Sequence, residues 1–192
     1  MYSSIFASDD MIVGTTDPSA ASITWSLALL CANPQAQRRL QNEIDTFLGR
    51  NHGQMPTFGD YAELPLLMSA IKECLRVRSL APFALPHEAS EDVEFGSYVI
   101  PKGTIIFANL DTMHENPDLY DNPQEFVVDR FIDKPTLSCK LSKATPQARD
   151  HYAFGWGRRL CPGSYLVCRR YNISLKDNET LTAGMYLHRE NV

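Results

Sequence analysis

The stretch best suited to chemistry is HYAFGWGRRLCPG, which covers residues 151–163 and places one cysteine among glycines, arginines and aromatic rings. Gly155 and Gly157 allow backbone turns and close approaches to a ligand that a side chain would forbid. Pro162 suits the first turn of a helix, and such a helix would begin just after the sulfur of Cys161. Because the positive end of a helix dipole favours a thiolate, the pattern predicts a thiolate in a shaped loop.

The two arginines before this cysteine narrow the chemistry. Arg158 and Arg159 add positive charge and can bind carboxylates, and a thiolate beside such groups suits ligation of haem iron. Two other interpretations compete with this one. A lone cysteine is most often a small buried hydrophobe, and a glycine-rich loop can bind phosphate. The phosphate pattern G-x-G-x-x-G is incomplete here, because the next glycine after Gly157 is Gly163.

The run FGWGRRLCPG resembles the cysteine-pocket signature of the cytochrome P450 family. Five positions fall in place: Phe154, Gly157, Arg159, Cys161 and Gly163. The resemblance implies that Cys161 is the axial thiolate ligand of a haem iron and that Phe154 shields the sulfur. It also implies that Arg159 pairs with one haem propionate and that His151 donates to another.

Two upstream motifs support the same resemblance. KECLR places Glu73 and Arg76 three residues apart on a helix, which by itself indicates an exposed pair worth about 0.2–0.5 kcal/mol. In the family, E-x-x-R is a buried pair that joins an arginine from a later loop, and FVVDRF resembles that loop with Arg130. In LAPFALPHEA, the resemblance implies that His87 meets a propionate and that Ala84 and Leu85 lie near substrate. An ordinary apolar strand explains the last two residues equally well.

The helix that resembles the family's oxygen-binding helix departs from the usual pattern. It reads GTTDPSAASITW from residue 14, where the resemblance implies an acid followed by a threonine that deliver protons to dioxygen. Asp17 matches the acid, but Pro18 stands at the threonine position. Ser19 is the next hydroxyl, whereas a shift of one residue would recruit Thr16. Asp17 and Ser19 are therefore the predicted catalytic residues.

The surrounding pattern predicts a mainly α fold with a small β-sheet (α+β), and the resemblance identifies it as an incomplete C-terminal part of the cytochrome P450 fold. The second helix is expected to have Asn33 as its cap and Pro34 in its first turn, to stop at Gly49 and to bury Leu40, Ile44 and Leu48. Residues 133–150 are expected to be a polar loop. The other predicted elements are helices over 11–32 and 64–78 and paired strands within 93–109.

The resemblance ends near residue 166, which divides the chain into a haem-binding part, 1–166, and an atypical tail, 167–192. GSYL at Gly163 and GMYL at Gly184 start 21 residues apart, and the second continues more like the family than the first. We interpret the residues between them as an aberrant gene-model segment, such as an unspliced intron that preserves the reading frame.

Composition excludes several classes of protein. The net charge of −5 disfavours nucleic acid as a partner, and the five cysteines form no C-x-x-C pair that would indicate a zinc cluster. The most apolar run, Ala20–Ala32, is too short to span a bilayer, and no signal peptide precedes it. By itself the sequence predicts a soluble intracellular chain without an anchor, whereas the resemblance implies the cytosolic face of the endoplasmic reticulum membrane for a full-length relative.

The function that the resemblance implies is a haem-binding monooxygenase. Such an enzyme hydroxylates a small apolar substrate with O2 and with electrons that reach it from NADPH through a reductase partner. Two alternatives stay open. Pro18 suggests haem-thiolate chemistry without O2 activation, and the incomplete fold suggests an inactive fragment that does not hold haem.

Overall fold

Three α-helices form the first part of the chain, and the computed structural model describes residues 2–164. The helices are α1 (Tyr2–Ala32), α2 (Pro34–Arg50) and α3 (Pro65–Val77). The prolines that begin α2 and α3 stand in the first helical turn, where the missing N–H would have no helical acceptor. α1 begins well before the predicted start at residue 11.

The end of α2 differs from the prediction. A stop at Gly49 is wrong, because the helix continues through this residue to Arg50. The chain leaves the helical path later, where His52 and Gly53 adopt positive φ angles of 53° and 76°. The Gly53 N–H then donates to the Leu48 carbonyl at 2.8 Å, which satisfies a carbonyl at the helix end.

The main hydrophobic core lies between α2 and α3. Its centre contains Leu40 and Phe47 of α2, together with Leu64, Leu67 and Val128. Of the predicted α2 stripe, only Leu40 is fully buried, whereas Ile44 and Leu48 are half-buried. α3 is buried on nearly all sides, because α1, α2 and the segment around residue 128 all pack near it. A helix so enclosed can carry charged groups only if they are paired.

Four short strands follow α3 as two antiparallel pairs. They are β1 (His87–Glu88), β2 (Val93–Phe95), β3 (Tyr98–Ile100) and β4 (Ile105–Ile106). β2 and β3 form a hairpin around Gly96, whose φ is 61°. A turn at residues 101–103 separates β3 from β4, and β4 then pairs with β1 rather than with its neighbour.

Two short helices, α4 (Leu110–His114) and α5 (Ser138–Leu141), precede the loop that carries Cys161. We name residues 150–163 the cysteine loop. α5 lies in the segment predicted to be a polar loop, and Ser138 and Cys139 are buried there.

The predicted fold class, mainly helical with a small β component, is confirmed. No helix among residues 2–164 has both the length and the apolar run that a bilayer crossing requires. The predicted tail, 167–192, lies outside the described residues.

Candidate functional site

The cysteine loop closes on itself through its backbone. Gly155 and Gly157 have φ angles of 69° and 62°, in the left-handed region that favours glycine. The Gly155 N–H donates to the Tyr152 carbonyl at 2.9 Å, and the Cys161 N–H donates to the Phe154 carbonyl at 2.9 Å. These bonds bring the backbone of Cys161 back beside Phe154, so the position of the sulfur depends on the turn at both glycines.

A largely apolar cavity of about 330 Å³ lies between this loop, α1 and the segment that follows α3. Five predicted cofactor-binding residues line it: His87, Phe154, Arg159, Cys161 and Gly163. Phe154 is buried and Cys161 is half-buried. The fold therefore gathers a thiol, a guanidinium and an imidazole, which lie up to 74 residues apart in the sequence, around a single apolar space.

The two predicted catalytic residues of α1 lie in different surroundings. Ser19 lines the cavity, and its hydroxyl donates to the Thr15 carbonyl one turn earlier at 2.6 Å. Asp17 is exposed and is not among the described residues that line the cavity. Pro18 lies inside the helix and does line the cavity, with Thr15 beside it. The structure therefore brings Ser19, but not Asp17, to the cavity wall.

His151 is the predicted propionate donor that the described cavity lining does not include. Its ring is buried, 5.4 Å from the ring of Phe154, and its Nδ1 accepts the Ala153 N–H at 3.2 Å. Nε2, which carries the proton in that tautomer, is buried without a hydrogen-bond partner among the described residues and lies 4.0 Å from Asp150 Oδ1. Burial lowers the pKa of His151, so the ring is neutral near pH 7.

Glu73, Arg76 and Arg130 form one buried network, which we name the first anchor. Arg76 donates to both carboxylate oxygens of Glu73, with Nε–Oε2 at 2.7 Å and Nη2–Oε1 at 2.8 Å. Arg130 Nε lies 3.0 Å from each of the same oxygens. The carboxylate side chain is 0% exposed. Of the two interpretations of KECLR, the structure therefore contains the buried network that the family resemblance implied and not the exposed helix pair.

Backbone carbonyls complete the first anchor. Arg76 also donates to the carbonyls of His114 at 2.8 Å and of Pro123 at 2.7 Å. Both Arg76 and Arg130 donate to the Glu125 carbonyl at 3.2 Å, and Arg130 donates to the Asp121 carbonyl as well. Because one carboxylate faces two guanidinium groups, these carbonyl dipoles supply the rest of the compensation.

A second buried ion pair was not predicted. Lys72 Nζ lies 3.2 Å from Asp150 Oδ2, and the two side chains are 3% and 1% exposed. The Ser138 hydroxyl donates to the same oxygen at 2.6 Å. Burial alone would raise the pKa of Asp150, but the nearby His151, the Ser138 hydroxyl and Lys72 lower it below its usual range. Sequence reasoning had no signal for this pair beyond the position of Lys72 next to Glu73.

His114 is a further buried group that sequence reasoning missed. Its Nε2 accepts the Tyr152 N–H at 2.9 Å, and its ring stacks on that of Tyr152 with the centroids 5.9 Å apart. Burial, followed by the neighbouring His151 and Arg76, lowers its pKa to about 3. His114 is therefore a neutral acceptor that fixes the backbone near the start of the cysteine loop.

A mainly helical fold in which a buried Glu–Arg–Arg network backs a cysteine loop on an apolar cavity is typical of haem-dependent monooxygenases. The chain belongs to the cytochrome P450 family, because the family model "Cytochrome P450" matches residues 6–168.

Individual relatives agree with this assignment. The chain is 34% identical over 171 residues to cytochrome P450 monooxygenase pgmC of Aspergillus terreus. This alignment covers 88% of this chain and 32% of that protein. The chain is 36% identical over 159 residues to cytochrome P450 98A1 of Sorghum bicolor, covering 82% and 29%. The chain thus spans about a third of the length of these relatives.

Solved structures agree as well. A zebrafish cytochrome P450 structure with progesterone matches with a TM-score of 0.71 and 28% identity, covering 84% of this chain and 35% of that one. A second zebrafish structure, with abiraterone, matches with a TM-score of 0.70, covering 94% and 37%. The observed fold is therefore part of the cytochrome P450 fold.

Proposed function

We propose that this chain supplies the haem-binding part of a cytochrome P450 monooxygenase, in which the thiolate of Cys161 would hold the iron. The observation that carries the proposal is the shared cavity, whose lining includes the cysteine together with His87 and Arg159. A haem needs a sulfur donor, an apolar space for the porphyrin and cationic or hydrogen-bonding groups for its two propionates. This donor set fits all three requirements.

Each residue at the cavity then has a defined task. Cys161 would hold the iron, and the ring of Phe154 would keep water from the sulfur. Arg159 and His87 would bind the propionates and so orient the haem. When bound, the haem supplies the oxygen chemistry, since the cofactor carries the reaction and the protein positions it.

The proposal assigns proton handling to α1. The Ser19 hydroxyl lies on the cavity wall and is held by the Thr15 carbonyl, which fixes the direction of its proton. Its oxygen remains able to accept a hydrogen bond from a water molecule in the cavity, and delivery of its own proton to the cavity would require the hydroxyl to turn away from the Thr15 carbonyl. Asp17 is exposed two residues earlier and would exchange protons with solvent.

The same proposal defines the substrate class, the partner and the location. A largely apolar wall that includes Leu75, Ala84 and Leu85 favours a small apolar organic substrate. Electrons would come from NADPH through a cytochrome reductase. The full-length protein would work at the cytosolic face of the endoplasmic reticulum membrane, as its family resemblance implies.

The decisive experiment is reconstitution of the purified chain with hemin, followed by the difference spectrum of the reduced, carbon monoxide-bound form. We expect a thiolate-type band that is lost in Cys161→Ala and kept in Cys31→Ala. Cys31 is a suitable control because it is an exposed free thiol on α1. A spectrum without the thiolate band, or one that Cys161→Ala leaves unchanged, would overturn the proposal.

Pro18 favours a second candidate, which is haem-thiolate chemistry without O2 activation. It lines the cavity at the position where the family pattern has a threonine, and it has no hydroxyl to hold a proton. Pro18→Thr in the full-length protein separates the two functions. A large gain in hydroxylation coupled to NADPH use supports the monooxygenase, whereas unchanged coupling supports the second candidate.

A further inference from the structure

We propose that Lys72 and Asp150 are positioning residues for Cys161. With Ser138 they form what we name the second anchor, which fastens the start of the cysteine loop to α3. The inference rests on the proposed function, because positioning matters only if Cys161 binds the iron.

The second anchor has the features of a specific buried contact. Lys72 Nζ donates to the carbonyls of Lys134 at 2.6 Å and Thr136 at 2.7 Å, and it meets Asp150 Oδ2 at 3.2 Å. An ammonium group has three donors, and these three oxygens match that number. Ser138 donates to the same Asp150 oxygen at 2.6 Å. Lys72 is therefore held between the segment before α5 and the start of the cysteine loop.

Asp150 is held by two further hydrogen bonds. Its Oδ1 accepts the N–H of His151 at 3.0 Å, and its backbone carbonyl accepts the hydroxyl of Tyr120 at 3.1 Å. Both carboxylate oxygens and the main chain are thus held at once. A side chain bound in this way defines where the following residues begin.

A short series of backbone bonds connects this point to the sulfur. The N–H of Tyr152 donates to His114, and the carbonyl of Tyr152 accepts from Gly155. The Phe154 carbonyl then accepts from Cys161 at 2.9 Å. Eleven positions separate Asp150 from Cys161 in the sequence, but each part of the loop is tied to the part before it.

The two anchors hold different parts of the molecule. Lys72 and Glu73 are neighbours on α3, yet Glu73 binds the 127–130 region, whereas Lys72 binds residues 134–136 and Asp150. The hydrogen bonds described for the first anchor reach residues 114–127 and not the cysteine loop. The charge on Lys72 is therefore a direct connection from α3 to the segment that carries the thiol.

The first test measures hydrogen exchange in the chain without haem. Asp150→Asn keeps an acceptor for Ser138 but removes the charge that meets Lys72, so we expect exchange within residues 150–161 to become about tenfold faster. Exchange within residues 37–47 of α2 serves as the internal reference and is expected to stay unchanged. Asp92→Asn is the matched control, since Asp92 is an exposed aspartate that accepts the Lys102 N–H at 2.7 Å.

Two further variants, Lys72→Met and the double variant that combines it with Asp150→Asn, distinguish loss of positioning from general unfolding. The double variant leaves no single charge buried, so it separates loss of positioning from the penalty of an unpaired ion. We expect the faster exchange to stay confined to residues 150–161 in all three variants. Equal acceleration in α2, or no acceleration in the loop, would overturn the inference.

The second test uses the hemin-reconstituted protein. We expect the thiolate share of the carbon monoxide difference spectrum to fall by at least about half in Asp150→Asn, with the lost intensity in a thiol-type band, because a loose loop no longer holds the sulfur on the iron. Lys72→Arg, which keeps the charge, is expected to retain more of the thiolate band than Lys72→Met. If the wild type shows the thiolate band and Asp150→Asn shows the same band, this inference is overturned and the proposed function stands. If the wild type itself lacks the band, the proposed function is overturned.

Discussion

The region behind the cysteine loop and the region in front of it are built in opposite ways. Behind the loop lie Glu73, Arg76 and Asp150, which are charged, at most 2% exposed and fully engaged in hydrogen bonds. In front lies the cavity rim, which we define as Leu80, Ala84 and Leu85, with Leu85 65% exposed. Charged groups are thus inside and apolar groups outside, the reverse of the usual distribution.

This difference separates stability from ligand binding. A buried charge requires all of its partners, so a change behind the loop should affect folding. An exposed leucine contributes little to folding, because its surface is already in water, but it remains available to an apolar ligand. Substitutions on the two sides should therefore change different measured quantities.

The largest expected effect is that of Glu73→Gln. The substitution removes the negative charge shared by Arg76 and Arg130, so two guanidinium groups remain buried without a counter-ion. We expect the free energy of unfolding to fall by about 3–5 kcal/mol, measured by urea denaturation. Glu125→Gln is the control, because this exposed residue serves the network only through its backbone carbonyl. Equal losses in both variants would contradict the division between the two regions.

The stability of the fold should depend on pH through His114, a buried residue whose backbone carbonyl belongs to the first anchor. The folded-state pKa of His114 is lowered to about 3, so between pH 6.5 and pH 3 the unfolded chain binds a proton that the folded chain does not. Stability is therefore complete above the unfolded pKa and decreases as the pH falls. At pH 5 we expect His114 to account for a loss of about 2 kcal/mol.

His114→Gln isolates this contribution, because glutamine still offers an acceptor to the Tyr152 N–H but does not titrate. The pKa of His151 is lowered in the same direction, so the variant should keep roughly half of the pH slope between pH 6.5 and pH 5. Urea denaturation at both pH values measures the slope. An unchanged slope would show that His114 binds a proton as readily in the folded protein as in the unfolded chain, so that its pKa is not lowered by folding.

A smaller effect is expected where α2 supports α3. The Glu43 carboxylate accepts the N–H groups of Leu66 at 2.9 Å and Leu67 at 2.8 Å, which have no acceptor within their own helix. Glu43→Gln keeps one acceptor oxygen and loses the charge that the helix N-terminus favours, so we expect a loss of about 1 kcal/mol. Asp45→Asn, on the same helix, is exposed and should change stability by less than about 0.5 kcal/mol.

The smallest effect on folding should come from the cavity rim. Leu85→Ala is expected to change the free energy of unfolding by less than about 0.5 kcal/mol, since the side chain is mostly exposed. The same variant should weaken binding of hemin or of an apolar ligand, which fluorescence quenching can measure. A large loss of stability with unchanged binding would reverse the comparison between rim and anchors.

The sequence alone supported the elements whose signals are local. Helical periodicity identified α2 and α3, with Pro34 as a further signal for α2, and Gly155 and Gly157 do adopt the left-handed angles that such a loop requires. The end of α2 was wrong because a glycine can continue a helix when a better turn, here His52–Gly53, follows it. A local pattern cannot decide between two adjacent turn signals.

Other features depend on contacts between distant segments, which no local pattern encodes. Lys72 and Asp150 are 78 positions apart, and nothing near Asp150 marks it as buried. The pairing of β1 with β4 across an intervening hairpin was missed for the same reason. Glu73, Arg76 and Arg130 were grouped beforehand only through a family resemblance, since spacing by itself indicated an exposed pair.

The mixture of two guanidinium groups and one carboxylate in the first anchor also constrains how the chain assembles. Arg76 draws on carbonyls 38 to 49 positions further along the chain, and these arrive only when the 114–125 segment docks. Until that segment docks, the Arg76 guanidinium lacks these carbonyl acceptors and must keep its water. Docking of the segment and burial of α3 must therefore occur as one event, which makes this part of the molecule a single cooperative unit rather than a helix later covered by a loop.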